Sequence, residues 1–155
     1  MGRIYSVPVT TTAWSLASSL IEIIPADDKP CILHAIFLSN VGGTSDAGDA
    51  QEELLQVGLV YATVTNTGGA TTLPISKHRG VTQAASFTAR VMSTITTTGV
   101  TVHADGWNVR VPFQYFPTPE IRDIFSQGDT VLQFKLLTAA ADGINIAATA
   151  IVEEL

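Results

Sequence analysis

Residues 144–155 have the sequence INIAATAIVEEL, and the spacing of their apolar side chains decides the fold class. Every second residue is apolar over most of the stretch: Ile144, Ile146, Ala148, Ala150 and Val152. A period of two is typical of a β-strand that buries one face, because successive side chains of a strand point to opposite sides of its sheet. The stretch therefore predicts a strand with one face in a hydrophobic core.

The same period recurs along the chain. Tyr5, Val7 and Val9 alternate with polar residues and with Pro8, which predicts an edge strand because proline cannot donate to a central ladder. The stretch 31–40 is apolar on both faces and predicts a central strand. The predicted strands are residues 5–10, 20–24, 31–40, 54–64, 84–97, 107–116, 130–138 and 144–155, and the last two are expected to form a hairpin.

Residues 103–123, HADGWNVRVPFQYFPTPEIRD, contain the densest mixture of charged and aromatic side chains. HADGW predicts a glycine-containing turn into a strand. Thr118 as N-cap, Pro119 at the first helical position and Glu120 in the first turn predict a helix of about two turns, ending near Phe125. Within the strand, alternation predicts that five side chains face inward: Trp107, Val109, Val111, Phe113 and Tyr115.

These elements define a fold class. About eight short strands with turn signals between them, little helix and no internal repeat indicate an all-β protein. We expect an antiparallel two-sheet sandwich, jelly-roll-like, with one short helical turn. A length of 155 residues fits a single β-sandwich domain over residues 1–155.

The composition narrows the class of function. Charged residues make up 14% of the chain, against about 25% in an average protein, so much of the surface is uncharged or is covered by partners. The net charge of −6 argues against a nucleic acid partner, because phosphate binding needs clustered Lys and Arg. The longest apolar runs, such as residues 31–38, are too short to span a bilayer, and no membrane partner is expected. A component of an assembly is favoured.

Catalytic residues do not converge in the sequence. Cys31 and His34 invite a nucleophile and base pair, but side chains three apart on a strand point to opposite faces. His34, His78 and His103 lack the spacing of zinc ligands. Residues 103–123 are better explained as a strand followed by a turn than as an active site. We therefore predict no catalytic residue, no cofactor, no small-molecule substrate and no enzyme activity.

One loop carries clustered carboxylates. Asp46, Asp49, Glu52 and Glu53 provide hard oxygen donors, which makes them weak candidates for a calcium site. Their order differs from that of an EF-hand loop. A solvated acidic loop without metal is the preferred interpretation.

Four stretches together resemble a known group of proteins. They are IIPADDKPCILHAIFLSN at residues 23–40, SDAGDAQEELLQVGLV at 45–60, VHADGWNVRVPFQYFPTPEIRDIFSQGD at 102–129 and ATAIVEEL at 148–155. In this pattern the chain is similar to small structural proteins of tailed bacteriophages, of the capsid decoration or cement type. The resemblance implies a protein, usually a trimer, that binds the major capsid protein on the outside of the head and ties neighbouring capsid subunits together. It also implies a location on the virion exterior, after assembly in the host cytoplasm.

Two other functions remain open. A tail or fibre component of the same particle fits the same features. A carbohydrate-binding sandwich would need exposed aromatic side chains that stack on sugar rings, whereas Trp107 and Tyr115 are predicted to face inward.

The way in which such a protein would contact its partners is also predicted. Sandwich edges with few charges favour association of copies, and a homotrimer is expected. Chain termini can become ordered on binding, so the N-terminal segment is the predicted contact with the capsid. That segment consists of Met1, Gly2, Arg3, Ile4 and Tyr5.

Overall fold

The computed structural model describes residues 2–42, 54–63, 67–78, 80, 83–95, 99–126, 131–141 and 143–155. Strands dominate these ranges, and the only helical element in them is a three-residue 3₁₀ turn at Pro119–Ile121. The strands are β1 (Arg3–Trp14), β2 (Ser18–Ile24), β3 (Cys31–Asn40), β4 (Leu54–Ala62), β5 (Ala70–Thr72), β6 (Ile75–Ser76), β7 (Thr88–Thr94), β8 (Val100–Asn108), β9 (Phe113–Tyr115), β10 (Ile124–Phe125), β11 (Val131–Leu136) and β12 (Ile144–Glu154).

The strands form two antiparallel sheets of six strands each. Sheet 1 has the order β10–β3–β12–β1–β6, and β9 also pairs with β3. Sheet 2 has the order β5–β7–β2–β11–β4–β8. The predicted all-β, two-sheet antiparallel architecture is confirmed.

The connectivity is that of a jelly roll. Eight of the strands, taken in chain order, are β1, β2, β3, β4, β8, β9, β11 and β12. Sheet 1 places the first, eighth, third and sixth of them side by side, and sheet 2 places the second, seventh, fourth and fifth. Two interleaved four-stranded sheets of this kind are the jelly-roll arrangement.

The stretch that predicted the fold lies at the centre of sheet 1. In β12 buried and half-buried residues alternate along the whole strand, as the period of two requires. β12 pairs with β1 on one side and with β3 on the other. The predicted hairpin with residues 130–138 is wrong, because β11 belongs to sheet 2 and the chain crosses between sheets before β12.

Strands β5, β6 and β7 are inserted between two strands of the jelly roll and extend one side of the sandwich. β6 pairs with β1 at Tyr5 and Ser6, while β7 and β5 continue sheet 2 beyond β2. Pro8 lies beyond the short β6 pairing, where β1 pairs with β12 only, so its missing N–H interrupts no ladder among the described residues.

The predicted strand over residues 107–116 is two strands in the structure. β8 ends at Asn108 and β9 begins at Phe113, because the chain turns there from sheet 2 to sheet 1. The carbonyl of Val111 in this turn accepts a hydrogen bond from Trp107 Nε1 at 2.8 Å. Trp107, Val109 and Phe113 are buried as predicted, whereas Val111 is exposed and Tyr115 is half-buried.

Two local predictions in this region are wrong. HADGW is not a turn, since His103 to Trp107 lie inside β8 and Gly106 has an extended backbone that pairs with β4. The two-turn helix is reduced to the single 3₁₀ turn, and the Thr118 side chain makes no capping hydrogen bond. The residues that would have formed its second turn, Ile124 and Phe125, pair with β3 instead. Pairing with a neighbouring strand thus overrides the local helix signal.

Candidate functional site

β8 forms one edge of sheet 2. β8 pairs with β4 along one side, and in the described part of the chain no strand pairs with its other side. The register of this ladder shifts at Val102, between Thr101 and His103. Val100 and Val102 are exposed large apolar side chains on this strand. The open strand is called the β8 edge below.

A groove of about 430 Å³ lies between the β8 edge and the segment that follows β9. It brings side chains of β8, in sheet 2, together with side chains from β9 of sheet 1 and the segment after it, all within residues 102–123. Its polar and aromatic lining includes His103, Asp105, Gln114, Tyr115, Phe116 and Asp123. A larger groove of about 620 Å³ crosses sheet 1, but the side chains that line it, such as Phe37 and Gln114, are not ionisable. The ionisable side chains therefore converge in the smaller groove.

Asp123 links the two sheets at this groove. Its carboxylate accepts hydrogen bonds from the hydroxyl of Tyr61 at 3.1 Å and from that of Tyr115 at 2.8 Å. Its backbone carbonyl accepts a hydrogen bond from the N–H of Leu33 at 3.0 Å, which holds the residue beside sheet 1. Because Tyr61 belongs to sheet 2 and Tyr115 to sheet 1, the carboxylate connects the two sheets through hydrogen bonds.

Both tyrosine hydroxyls are held in their neutral form. Burial raises the pKa of Tyr61, and the neighbouring negative charge of Asp123 raises it further. Burial also raises the pKa of Tyr115, together with its hydrogen bond to Asp123. A protonated hydroxyl that donates to a carboxylate is a poor base and a poor nucleophile.

His103 packs against this cluster without joining it. Its ring lies 4.6 Å from the ring of Tyr115, centroid to centroid. Its Nε2 atom is buried and has no hydrogen-bond partner among the described residues. The carboxylate of Asp105, two residues along the same strand, accepts a hydrogen bond from the N–H of Gly106 at 2.8 Å. The groove thus presents a histidine and a carboxylate on one strand.

A second set of buried polar side chains crosses sheet 2. Gln133 and Glu22 lie opposite each other on neighbouring strands, and Arg90 lies opposite Glu22 on the next. Glu22 and Gln133 are fully buried. Arg90 Nη1 lies 3.9 Å from Glu22 Oε2, which partly compensates the buried charge.

The predicted absence of a cysteine–histidine pair agrees with the geometry. Cys31 is fully buried, and burial, with a smaller effect from the charge of Glu154, raises the pKa of its thiol to about 12. His34 points elsewhere, with Nε2 2.7 Å from Glu153 Oε2. Cys31 is therefore a protonated core side chain.

The candidates for metal binding and partner contact have different outcomes. Asp46, Asp49, Glu52 and Glu53 lie outside the described residues, as does Met1. Among the residues that the structure describes, no three His, Cys, Asp or Glu side chains are grouped as metal ligands.

Gly2 precedes β1, and Arg3, Ile4 and Tyr5 belong to it, opposite Glu154, Glu153 and Val152 of β12. The side chain of Tyr5 is buried, so a contact through this segment stays a prediction only for its other residues.

Sequence reasoning missed the connection between Tyr61, Tyr115 and Asp123. The sequence predicts no active site in residues 103–123, because an extended strand separates His103 widely from the acidic residues that follow it. The turn at Val109–Pro112 brings Tyr115 and Asp123 back beside His103. A tyrosine predicted to face inward, followed eight residues later by an aspartate, was the only local signal, and it does not specify Tyr61.

Replacement of Asp123 by asparagine is expected to lower the pKa values of Tyr61 and Tyr115, because the neighbouring negative charge is removed. In the wild type, stability from the raised values is present below about pH 10, the ordinary tyrosine pKa, and is lost as the pH rises through the higher native pKa. The measurement is a titration of tyrosinate absorbance in the ultraviolet. Asp105→Asn, in the same groove without a tyrosine contact, is the control. Identical titration curves for wild type and D123N would contradict the assignment.

Comparison with protein-family models, curated proteins and solved structures finds no match to this chain. In the described ranges, no helix is long and apolar enough to cross a membrane.

Proposed function

We propose that this chain is a non-enzymatic decoration protein of a tailed-phage virion, which binds the major capsid protein on the outside of the head. The observation that carries the proposal is a set of exposed apolar side chains in the segment from Phe116, directly after β9, to Ile124, the first residue of β10. Phe116, Ile121 and Ile124 are 71%, 68% and 62% exposed, and the first two line the groove beside the β8 edge. This set is called the apolar rim below. Exposed apolar patches on soluble proteins often mark surfaces that contact other proteins.

The groove supports binding more than catalysis. Cys31 is protonated, and the hydroxyls of Tyr61 and Tyr115 are committed to Asp123. The low content of charged residues and the net charge of −6 suit an exterior position, away from packaged DNA. The resemblance of residues 23–40, 45–60, 102–129 and 148–155 to decoration proteins points to the same role.

A jelly roll fits this mechanical role. Its two sheets enclose one core to which strands from both sheets contribute, so the rim is held on a rigid support. In the proposed homotrimer, each copy contacts a different capsid subunit. Linking three modest contacts raises effective affinity by roughly 10²–10⁴-fold without a single strong site. Gly2, Arg3 and Ile4 remain a second proposed capsid contact.

The test is binding of purified protein to phage heads that lack it. We expect the double variant Phe116→Ser/Ile121→Ser to lose at least about ten-fold in affinity, because two exposed apolar side chains no longer leave water on binding. Leu73→Ser is the matched control, since Leu73 is 82% exposed and lies on the inserted segment between β5 and β6.

Two results would contradict the proposal. One is equal affinity of the rim variant and the Leu73→Ser control for heads. The other is a mass-spectrometric inventory of purified virions in which the protein is missing from heads. Recovery of the protein in separated tails would instead support a tail or fibre component. The carbohydrate alternative is not favoured, because Trp14 and Trp107 are both buried and Phe116 is the only mostly exposed aromatic side chain among the described residues.

A further inference from the structure

The β8 edge lacks the residues that usually prevent sheet edges from pairing. Proteins protect such edges with proline, lysine or very short strands. β8 has nine residues, and no proline, lysine or arginine occurs between Val100 and Asn108. The opposite end of sheet 2 is protected in this way, because β5 has only three residues. The shift at Val102 bends only one part of β8.

The charges of β8 are arranged symmetrically. His103 and Asp105 are its only ionisable residues, and they flank Ala104. Both side chains line the same groove, so they lie on one face of the strand. When the strand is placed antiparallel to a copy of itself about Ala104, His103 of each copy lies opposite Asp105 of the other.

Of the three antiparallel registers about His103, Ala104 and Asp105, only the one about Ala104 places a histidine opposite a carboxylate. An antiparallel pairing about His103 places two histidines opposite each other, and one about Asp105 places two carboxylates opposite each other. Opposite charges across strands are favourable, whereas like charges directly opposite are destabilising. The register about Ala104 gives two His103–Asp105 pairs, related by the two-fold axis.

The backbone is also accessible in this register. Gln56, which lies opposite Gly106 in β4, directs its N–H to Thr138 Oγ1 and its carbonyl to the N–H of Leu137, away from β8. The backbone groups of Gly106 and Ala104 therefore face the open edge, as in any antiparallel pair without mutual hydrogen bonds. A Cβ atom placed on Gly106 would meet nothing within 4 Å, so the side-chain face of the strand is open at this position. About Ala104, Gly106 of one copy lies opposite the larger Val102 of the other, which is a pairing of small with large.

We infer that two copies of this chain associate through their β8 edges, antiparallel about Ala104, with His103 opposite Asp105 at two equivalent positions. The contact joins the two copies of sheet 2 into one continuous sheet and covers Val100 and Val102. It is argued from β8 and does not rest on the capsid proposal, although Phe116 and Ile121 of the apolar rim line the same groove as His103 and Asp105. A closed two-fold contact doubles the number of copies in the assembly. A monomer then becomes a dimer, and a trimer becomes a hexamer.

Sedimentation velocity over a range of concentrations tests the charges. We expect His103→Glu to weaken the doubling of mass by about ten-fold or more, because two pairs of like charges replace two favourable pairs. Adding Asp105→Lys to that variant exchanges the two charges, and we expect it to restore the doubling. His103→Glu/Asp28→Lys is the control, because it makes the same change in net charge as the exchange variant but at an exposed carboxylate in the turn after β2, and we expect it not to restore the doubling. The same concentration dependence of mass for wild type and H103E would overturn the inference.

Engineered cysteines test the register separately. Residues paired across a two-fold axis lie about 5.5 Å apart between Cα atoms, within the range for a disulfide. We expect Ala104→Cys to form a disulfide-linked pair on mild oxidation, seen by electrophoresis without reductant. Val100→Cys is the matched control, since residue 100 then lies opposite Asn108 and not opposite its own copy. The native Cys31 is buried and does not compete. Equal cross-linking of both variants, or of neither, would overturn the proposed register.

Discussion

Replacement of Trp14 by alanine is expected to lower the free energy of unfolding by about 3–5 kcal/mol, the usual cost of removing a buried aromatic side chain. Trp14 is 3% exposed. Its ring centroid lies 5.7 Å from that of Phe134 and 6.3 Å from that of Trp107, both on sheet 2. Its Nε1 donates to the carbonyl of Ser18 at 3.2 Å, at the corner between β1 and β2. The change therefore removes contacts between the two sheets and also a hydrogen bond at the corner.

Urea denaturation followed by far-ultraviolet circular dichroism measures this effect without relying on tryptophan fluorescence. Phe116→Ala is the matched control, because it also removes an aromatic ring, but one that is mostly exposed. We expect the control to change the stability by less than about 0.5 kcal/mol. A loss below about 1 kcal/mol for Trp14→Ala would mean that the inter-sheet core does not depend on this ring.

Replacement of Glu154 by alanine is expected to lower the free energy of unfolding by about 3 kcal/mol. The carboxylate is 4% exposed. It accepts hydrogen bonds from the N–H of Ser86 at 2.6 Å, the N–H of Phe87 at 3.4 Å and the hydroxyl of Ser86 at 3.2 Å. Lys29 Nζ lies 3.5 Å from it. The alanine variant leaves the donors of Ser86 and Phe87, of which Phe87 is buried, without their acceptor, and it releases the segment before β7 from β12.

Two measurements separate global from local effects. Denaturation gives the overall loss, and hydrogen exchange at Ser86 and Phe87 reports whether their N–H groups become exposed to water. Glu153→Ala is the control on the neighbouring residue, whose carboxylate is partly exposed and pairs with His34. We expect less than about 1 kcal/mol from that change. Unchanged exchange at Ser86 in the Glu154 variant would show that other contacts hold the segment.

The alternation of side chains predicts much of the fold because burial of one strand face is written in local sequence. Residues 144–155, 31–40 and 20–24 all contain the strands that were expected there. The local alternation of side chains does not specify which strands become neighbours in a sheet. Residues 130–138 and 144–155 are adjacent in the chain and both have strand character, yet they belong to different sheets. A period of two specifies a face and leaves the partner open.

The site was less predictable than the fold, because it depends on contacts between distant residues. Asp123 follows a helix-start pattern that suggested a helix, whereas β10 pairs with β3 and places Asp123 near Tyr115 and Tyr61. The buried role of Cys31 was predicted correctly, since it needs only the strand pattern around it. The carboxylate of Glu154 at the end of β12 gave no sequence signal of its four polar neighbours, which come from two other parts of the chain.

The central position of β12 has a consequence for the order in which the protein acquires its structure. Among the described strands β1 is made first, whereas the strand that pairs with most of its length, β12, is made last. At about 5–20 residues per second, β1 waits on the order of ten seconds for that partner. Pairings between strands so distant in the chain also form slowly, because the connecting loop must close first. Sheet 1 is therefore completed only after translation has passed residue 154, and until then the apolar face of β1 depends on transient contacts for protection.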